Sequence, residues 1–192
     1  MVVSIRAARS MRLICRPQFA SQAVRMIETT ESVLFAKRES VEQVEEGRQL
    51  APKFDQLGVI PCVTMHAETH EVLMFAFMNP AALTLTIETG LAHYWSRSRQ
   101  ALWKKGESSG MFQAVRRMLI DDDQDCIVLE VDLSEPTSGG KEASCHVGYR
   151  SCFYREVPIG KSDGVVNLRF IEDSKCFDPQ AVYGDTPNPT QL

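Results

Sequence analysis

The chain lacks any apolar run approaching the ~20 residues that a membrane-spanning helix needs. It lacks an excess of positive charge as well: the net charge is −4, so bulk electrostatics do not suggest nucleic-acid binding. Its six cysteines in 192 residues are too few for a disulfide-stapled scaffold, and no secretory signal precedes them. Reduced thiols in a cytoplasmic enzyme are the reading this leaves, and such thiols are free to bind metal. Residues 1–25 have no acid and no lysine but five arginines. That absence suits an organelle transit peptide or a start placed too far upstream, with Met26 as the true start. The second reading is preferred, because the segment is short and shows no amphipathic period.

What is present fits one globular domain: 44% apolar and 24% charged residues over an ordinary domain length. Residues 26–52 read as a polar helix whose sparse apolar points are Val41, Val44 and Leu50. Residues 1–52 are then an N-terminal extension, 53–184 the domain, and 185–192 a frayed tail. Val59–Met65 and Val72–Met78 predict a β-hairpin across a polar connection. Asn79-Pro80 and Gly90 bracket a helix with Leu83 and Ile87 as its buried stripe. Residues 92–96 predict a strand, and 97–110 a basic loop or short helix. Gln113–Ile120 and Cys126–Leu133 predict strands flanking an acidic cluster, and Val165–Ile171 a late strand. The pattern as a whole predicts a compact, β-rich α+β domain.

Two clusters of opposite chemical character carry the functional signal. Asp121, Asp123 and Asp125 stand at i, i+2 and i+4, so an extended chain would turn all three carboxylates to one side. Like charges that close need a cation between them. Carboxylates suit Mg²⁺, Mn²⁺ or Ca²⁺; a solvated acidic turn is the alternative. Cys145 and Cys152, with His146 beside the first, offer soft ligands at a spacing longer than structural zinc sites use. A catalytic zinc needs only three protein ligands, which leaves His146 free to act as a base. Buried free cysteines are the alternative.

The segment from Ser96 to Gly110 joins Arg97, Arg99, Lys104 and Lys105 to Ser108 and Ser109 among glycines. Guanidinium forks and backbone N–H groups of this kind can cradle phosphate. Trp95 and Trp103 flank it, either as core rings or as surfaces for a base. Trp103 and Arg150 join the candidate substrate-binding residues.

Taken together, these segments resemble the phosphoribosyl-AMP cyclohydrolase family of histidine biosynthesis. The matching text is Phe54-Asp55, Gly58-Val59-Ile60-Pro61, Glu71-Val72-Leu73-Met74, Thr89-Gly90, His93-Tyr94-Trp95-Ser96-Arg97-Ser98-Arg99, Leu102 to Gly110, and Cys145-His146 with Gly148 and Arg150-Ser151-Cys152-Phe153. The resemblance spans roughly residues 52–157. It implies hydrolysis of the adenine N1–C6 bond of phosphoribosyl-AMP to the formimino-carboxamide ribotide. It implies an intertwined homodimer with active sites at the subunit interface, and no nucleic-acid or membrane partner. It also implies Zn²⁺ held by three cysteines drawn from both chains and Mg²⁺ held by three aspartates. Carried over, Cys145 and Cys152 are zinc ligands, Asp121, Asp123 and Asp125 magnesium ligands, and His146 a catalytic acid or base.

Two positions depart from the family pattern. Asp122 stands where the first zinc cysteine is expected, and Met111 where the family has His or Asn. Asp122 can coordinate through oxygen, giving a harder site. Cys126, four residues on, lies about 13 Å away along a strand, against a Zn–S bond of about 2.3 Å. A paralogue acting on another purine ribotide, and a catalytically weak nucleotide- or metal-binding relative, are the competing readings.

Overall fold

The computed structural model describes residues 33–160 and 164–187. Expectations for residues 1–25, for 26–32 of the polar helix and for 188–192 of the tail lie outside them.

Alternation of apolar residues builds the central sheet. β1 (Ile60–His66) buries every second residue and pairs antiparallel with β2 (Val72–Met78), giving the expected hairpin. β3 (His93–Ser96) falls where residues 92–96 predict a strand. β4 (Ala101–Lys104) pairs with it, so the segment expected as a loop or short helix contains a strand. β5 (Gln113–Ile120) and β6 (Ile127–Leu133) form a second large hairpin around the acidic cluster, also as expected. The hairpins join through β1 and β6, which run parallel with Cys62 opposite Ile127, so the sheet order is β2-β1-β6-β5. Leu73, Met78, Leu83, Tyr94, Leu129 and Val131 have no exposed surface and form its core.

α2 (Pro80–Thr89) starts and stops by local chemistry. Asn79 accepts a hydrogen bond from the Ala82 N–H, Pro80 fills the first position, and Gly90 turns left-handed at φ 68°. Its buried face is Ala82, Leu83 and Thr86, which corrects the expected stripe: Ile87 is 39% exposed. Thr86 can take the buried place because its hydroxyl donates to the Ala82 carbonyl and accepts from the His93 N–H.

The polar helix expected over 26–52 is corrected. Among the described residues it is only α1 (Val41–Glu45), and residues from Val33 onward belong to the same unit as the sheet. Val44 and Ala51 are buried, and Phe35 lies 6.2 Å from Phe54 ring to ring. The late strand shrinks to β8 (Arg169–Phe170), paired with β7 (Arg155–Glu156). Exposed Val165 and Val166 find no strand to pair with among the described residues. α3 (Pro179–Tyr183) follows. The result is a mixed α/β domain, rich in strands and poor in helices.

Candidate active site

The β3–β4 hairpin and the loop after it line a cleft of about 920 Å³. Arg97, Arg99, Trp103, Lys104, Lys105, Ser108 and Ser109 all face it, together with His146 and Cys152. The hairpin turn is fixed locally. Ser96 Oγ accepts from both the backbone N–H and Nε of Arg99, and the Gln100 amide donates to the Arg97 carbonyl at 2.6 Å. The Arg97 guanidinium lies 3.8 Å over the Phe77 ring, a contact that orients the cation without neutralising it. Trp103 packs at 5.1 Å from the buried Tyr94, so its ring serves the core as well as the cleft. Lys105 is buried, and desolvation lowers its pKa to about 8; its ammonium reaches the Met111 carbonyl at 3.5 Å.

The thiol loop sits on a buried polar chain. Thr64 shares a 2.7 Å hydrogen bond with the Tyr94 hydroxyl, which donates to Gln113 Oε1 at 2.7 Å. The Gln113 amide donates to Ser144 Oγ at 3.1 Å, one residue before Cys145. The far end of the loop is tied to β2 by the Cys152 N–H, which donates to the Leu73 carbonyl at 2.7 Å. The two thiols thereby meet. Their mutual hydrogen bond lowers the Cys145 pKa to about 7, while Cys152, holding the shared proton, is pushed up by that bond first and by desolvation second, although its side chain keeps an exposed edge. His146 Nε2 is buried with no hydrogen-bond partner among the described residues, in a ring that lines the cleft together with Cys152. A buried imidazole nitrogen without a partner is unusual unless a ligand or substrate supplies one.

The acidic cluster is a turn rather than an extended strand. Gln124 adopts φ 58°, and Asp121 Oδ1 accepts from the N–H groups of Asp125 and Cys126. The carboxylates of Asp121, Asp123 and Asp125 still converge, with one oxygen from each within 4.8 Å of the others. Lys53 bridges Asp123 at 2.8 Å and Asp125 at 3.0 Å. Its hydrogen bond holds the Asp123 carboxyl below the usual carboxylate range, and the two carboxylates raise the lysine in return. Nothing in the sequence flags Lys53, which lies seventy residues before Asp123. Buried Gln124 anchors the turn: its side chain accepts from the Ala51 N–H at 2.7 Å and donates to the Val44 carbonyl at 2.9 Å.

One chain does not bring the two clusters together. Cys152 is bonded at Leu73, near the start of β2, whereas the turn enters β6 beside Cys62 and the far end of β2 near Met78. Five residues of strand separate those levels, about 17 Å. Asp122 is exposed at the tip of the turn, away from Cys145 and Cys152 of the same chain. Cys126 lies beside Cys62 at the same end; the 13 Å extended-chain separation does not apply, because the turn doubles back on itself. Arg150 does not line the cleft. It donates to Glu71 at 2.9 Å and to Glu142 at 2.6 Å, so its side chain fastens the loop to the sheet. Met111 is wholly buried against Ala143 and Phe177 and is outside the cleft lining. Tyr183, near the expected tail, does line the cleft, and Thr186 and Pro187 of that tail line it too.

A cleft lined by cations, hydroxyls, an imidazole and a thiol defines an enzyme for small anionic substrates. The chain belongs to the phosphoribosyl-AMP cyclohydrolase family. A family model described as "Phosphoribosyl-AMP cyclohydrolase" matches residues 74–154. The chain is similar to the phosphoribosyl-AMP cyclohydrolase of Sinorhizobium fredii, 47% identical over 143 residues, covering 74% of this chain and 90% of that protein. The protein of the same name from Agrobacterium fabrum is 44% identical over 145 residues, covering 76% and 92%. That from Rhodopseudomonas palustris is 48% identical over 145 residues, covering 76% and 93%.

Proposed function

We propose that this chain is a phosphoribosyl-AMP cyclohydrolase that hydrolyses the N1–C6 bond of the adenine ring, in histidine biosynthesis, as a cytoplasmic homodimer. The observation that carries the reading is the cleft, whose lining the basic segment shares with His146 and Cys152. Family membership gives the reaction, and the cleft offers the groups that such a reaction uses.

The donor sets fit the implied metals. Two thiols in contact beside a partnerless imidazole suit zinc, and three converging carboxylates suit magnesium. Cys145 and Cys152 would hold the zinc, and Asp121, Asp123 and Asp125 the magnesium, with Lys53 displaced. Zinc bound there would polarise a water toward ionisation near pH ~7. Two thiols leave a third position to fill, and Asp122 of the same chain is at the other end of the sheet. A second copy, presenting its own acidic turn to this cleft, would supply Asp122 and complete the site. That requirement, together with the exposed apolar residues Phe153, Val157, Ile159 and Phe170, supports the dimer.

The chain's own residues have separate tasks. Arg97, Arg99, Lys104, Ser108 and Ser109 would hold the phosphates and fix the purine in the cleft. His146, free at Nε2, would take a proton from the attacking water and return one to N1 as the C6–N1 bond opens. Buried Lys105 would add positive potential beside the thiols. Buried Met111, outside the cleft lining, gives no support to a different ribotide substrate.

Subunit complementation tests this. Asp123→Ala and Cys152→Ala chains should each be inactive on phosphoribosyl-AMP. Refolded together, they should regain about a quarter of wild-type turnover, since half of random dimers are mixed and each has one intact site. No recovery in verified mixed dimers would refute the shared site. An inactive, zinc-loaded wild type would refute the activity.

A further inference from the structure

A run of buried polar groups leads from the sheet into the cleft, and the last proton in it has no acceptor within the run. Thr64, Tyr94 and Gln113 have no exposed surface, and Ser144 is 4% exposed. Each link has a direction. The Gln113 carbonyl oxygen only accepts, so the Tyr94 hydroxyl gives it its single proton at 2.7 Å, and the Tyr94 oxygen takes the Thr64 proton at 2.7 Å. The Gln113 amide nitrogen donates to Ser144 Oγ at 3.1 Å and to Met74 Sδ at 3.5 Å. Turned over, the amide would face its carbonyl oxygen to that sulfur, acceptor against acceptor, so its orientation is fixed. Ser144 Oγ therefore accepts from the core, while its own proton has no acceptor among the described residues. The backbone holds the residue in place, because the Ser144 N–H donates to the Arg150 carbonyl at 2.8 Å. Its side chain lines the cleft together with His146 and Cys152. A buried donor without a partner in its own chain is matched to an acceptor that arrives with the ligand.

The position of Ser144 selects the part of a nucleotide it meets. The Ala92 N–H donates to the Gln113 carbonyl at 3.0 Å, which fastens this run to the foot of the β3–β4 hairpin, where His93 pairs with Lys104. Arg97 and Arg99 stand at the hairpin tip, beyond the pair of Ser96 with Ala101. Four residues of strand, about 13 Å, separate foot from tip. A phosphate drawn to the two arginines leaves the purine at the foot. There a neutral donor suits a ring nitrogen, which accepts without carrying charge. N1 belongs to the bond that opens, which leaves N3 and N7.

We propose that Ser144 is a substrate-binding residue whose hydroxyl, oriented by Gln113, donates to N3 or N7 of the bound purine. The proposal rests on the ribotide reading above. It gives the buried glutamine a task that an apolar side chain could not perform: keeping the Ser144 proton out of the core.

Titration calorimetry on the full-length chain, with adenosine 5′-monophosphate and its 3-deaza and 7-deaza analogues, tests this without requiring turnover. Ser144→Ala should weaken the monophosphate about tenfold, through one lost hydrogen bond and a stranded acceptor. One analogue should bind wild type and variant equally, because it lacks the nitrogen that the hydroxyl serves; the other should lose as much as the parent. Ribose 5-phosphate, which has no base, should not distinguish the two proteins. Gln113→Glu places an acceptor where the amide donates and turns the Ser144 proton back into the core, so it should reproduce the same single-analogue pattern. Should that variant fail to fold, Ser144→Ala decides alone. No loss in Ser144→Ala, equal losses for both analogues, a loss for ribose 5-phosphate, a folded Gln113→Glu chain that binds like wild type, or a wild type that binds no monophosphate would each overturn the proposal. A wild type that shows the expected pattern but does not open phosphoribosyl-AMP would refute the cyclohydrolase reading and leave this one standing.

Discussion

Replacing Gln124 by alanine should unfold the acidic turn from the segment that wraps it. The side chain is buried, accepts from the Ala51 N–H at 2.7 Å, and donates to the Val44 carbonyl at 2.9 Å and the Gln49 carbonyl at 3.4 Å. Truncation strands a buried N–H and a buried carbonyl, each costing about 1–3 kcal/mol, while the longest bond adds little. The backbone strain at φ 58° is unchanged, because alanine carries a Cβ too. The expected loss is about 2–4 kcal/mol, near 1–2 kcal/mol per stranded group. For a domain of this size that lowers the melting temperature by roughly 5–15 °C. Urea unfolding followed by circular dichroism measures the free energy, and Arg38→Ala is the control. Arg38 bridges the Ala51 and Asp123 carbonyls from a more exposed position, so its loss should cost about 1 kcal/mol. A Gln124→Ala loss no larger than that of the control would show that water replaces the amide, and that the turn is not held as described.

Asp122→Cys should bind zinc more tightly than wild type in competition with a calibrated chelator, because thiolate is the softer donor; equal affinities would mean that Asp122 faces away from the metal. Arg150→Gln should cost about 2 kcal/mol of stability through lost charge-assisted bonds to Glu71 and Glu142, with KM unchanged; a raised KM at full stability would return it to the substrate site. Lys105→Met should stabilise the metal-free protein at pH 7, because burial lowers this lysine's pKa to about 8 and charging it in the fold is costly. In wild type the unfolded chain keeps that proton between pH 8 and about 10 while the folded chain has lost it, so wild-type stability rises across that window and the variant's advantage fades. An advantage independent of pH would show that packing, not charge, is responsible.

Elements governed by local chemistry were legible in the chain. Asn79, Pro80 and Gly90 act on their own helix, and the β1–β2 and β5–β6 hairpins follow from alternation next to polar turns. β4 was not legible, because Ala101–Lys104 is four residues inside the basic 97–110 segment and is a strand only beside β3. The polar helix failed for the opposite reason: charges and sparse apolar points favour helix locally, but Gln124 holds that backbone from a turn eighty residues away, and Arg38 reaches from the segment to the Asp123 carbonyl of the same turn. The basic segment, His146 and Cys152, singled out by residue type, line one cleft. Arg150 was misread because a guanidinium suits a carboxylate as well as a phosphate, and sequence does not show which one stands opposite. The place of Tyr183 in the cleft lining was not legible, because it belongs to no cluster of ligands.

The parallel pairing of β1 with β6 has a consequence for how the chain reaches this state. Cys62 and Ile127, opposite each other, are sixty-five positions apart. Each hairpin can form from near neighbours, but the seam between them must wait for a long loop to close, at an entropic cost that rises with the logarithm of its length. Until then β1 and β6 each offer an unpaired edge with Val63 and Val128 beside it, in two half-sheets able to pair with the wrong copy. Refolding yield should therefore fall as protein concentration rises, and the docking of the two hairpins should be the slow phase.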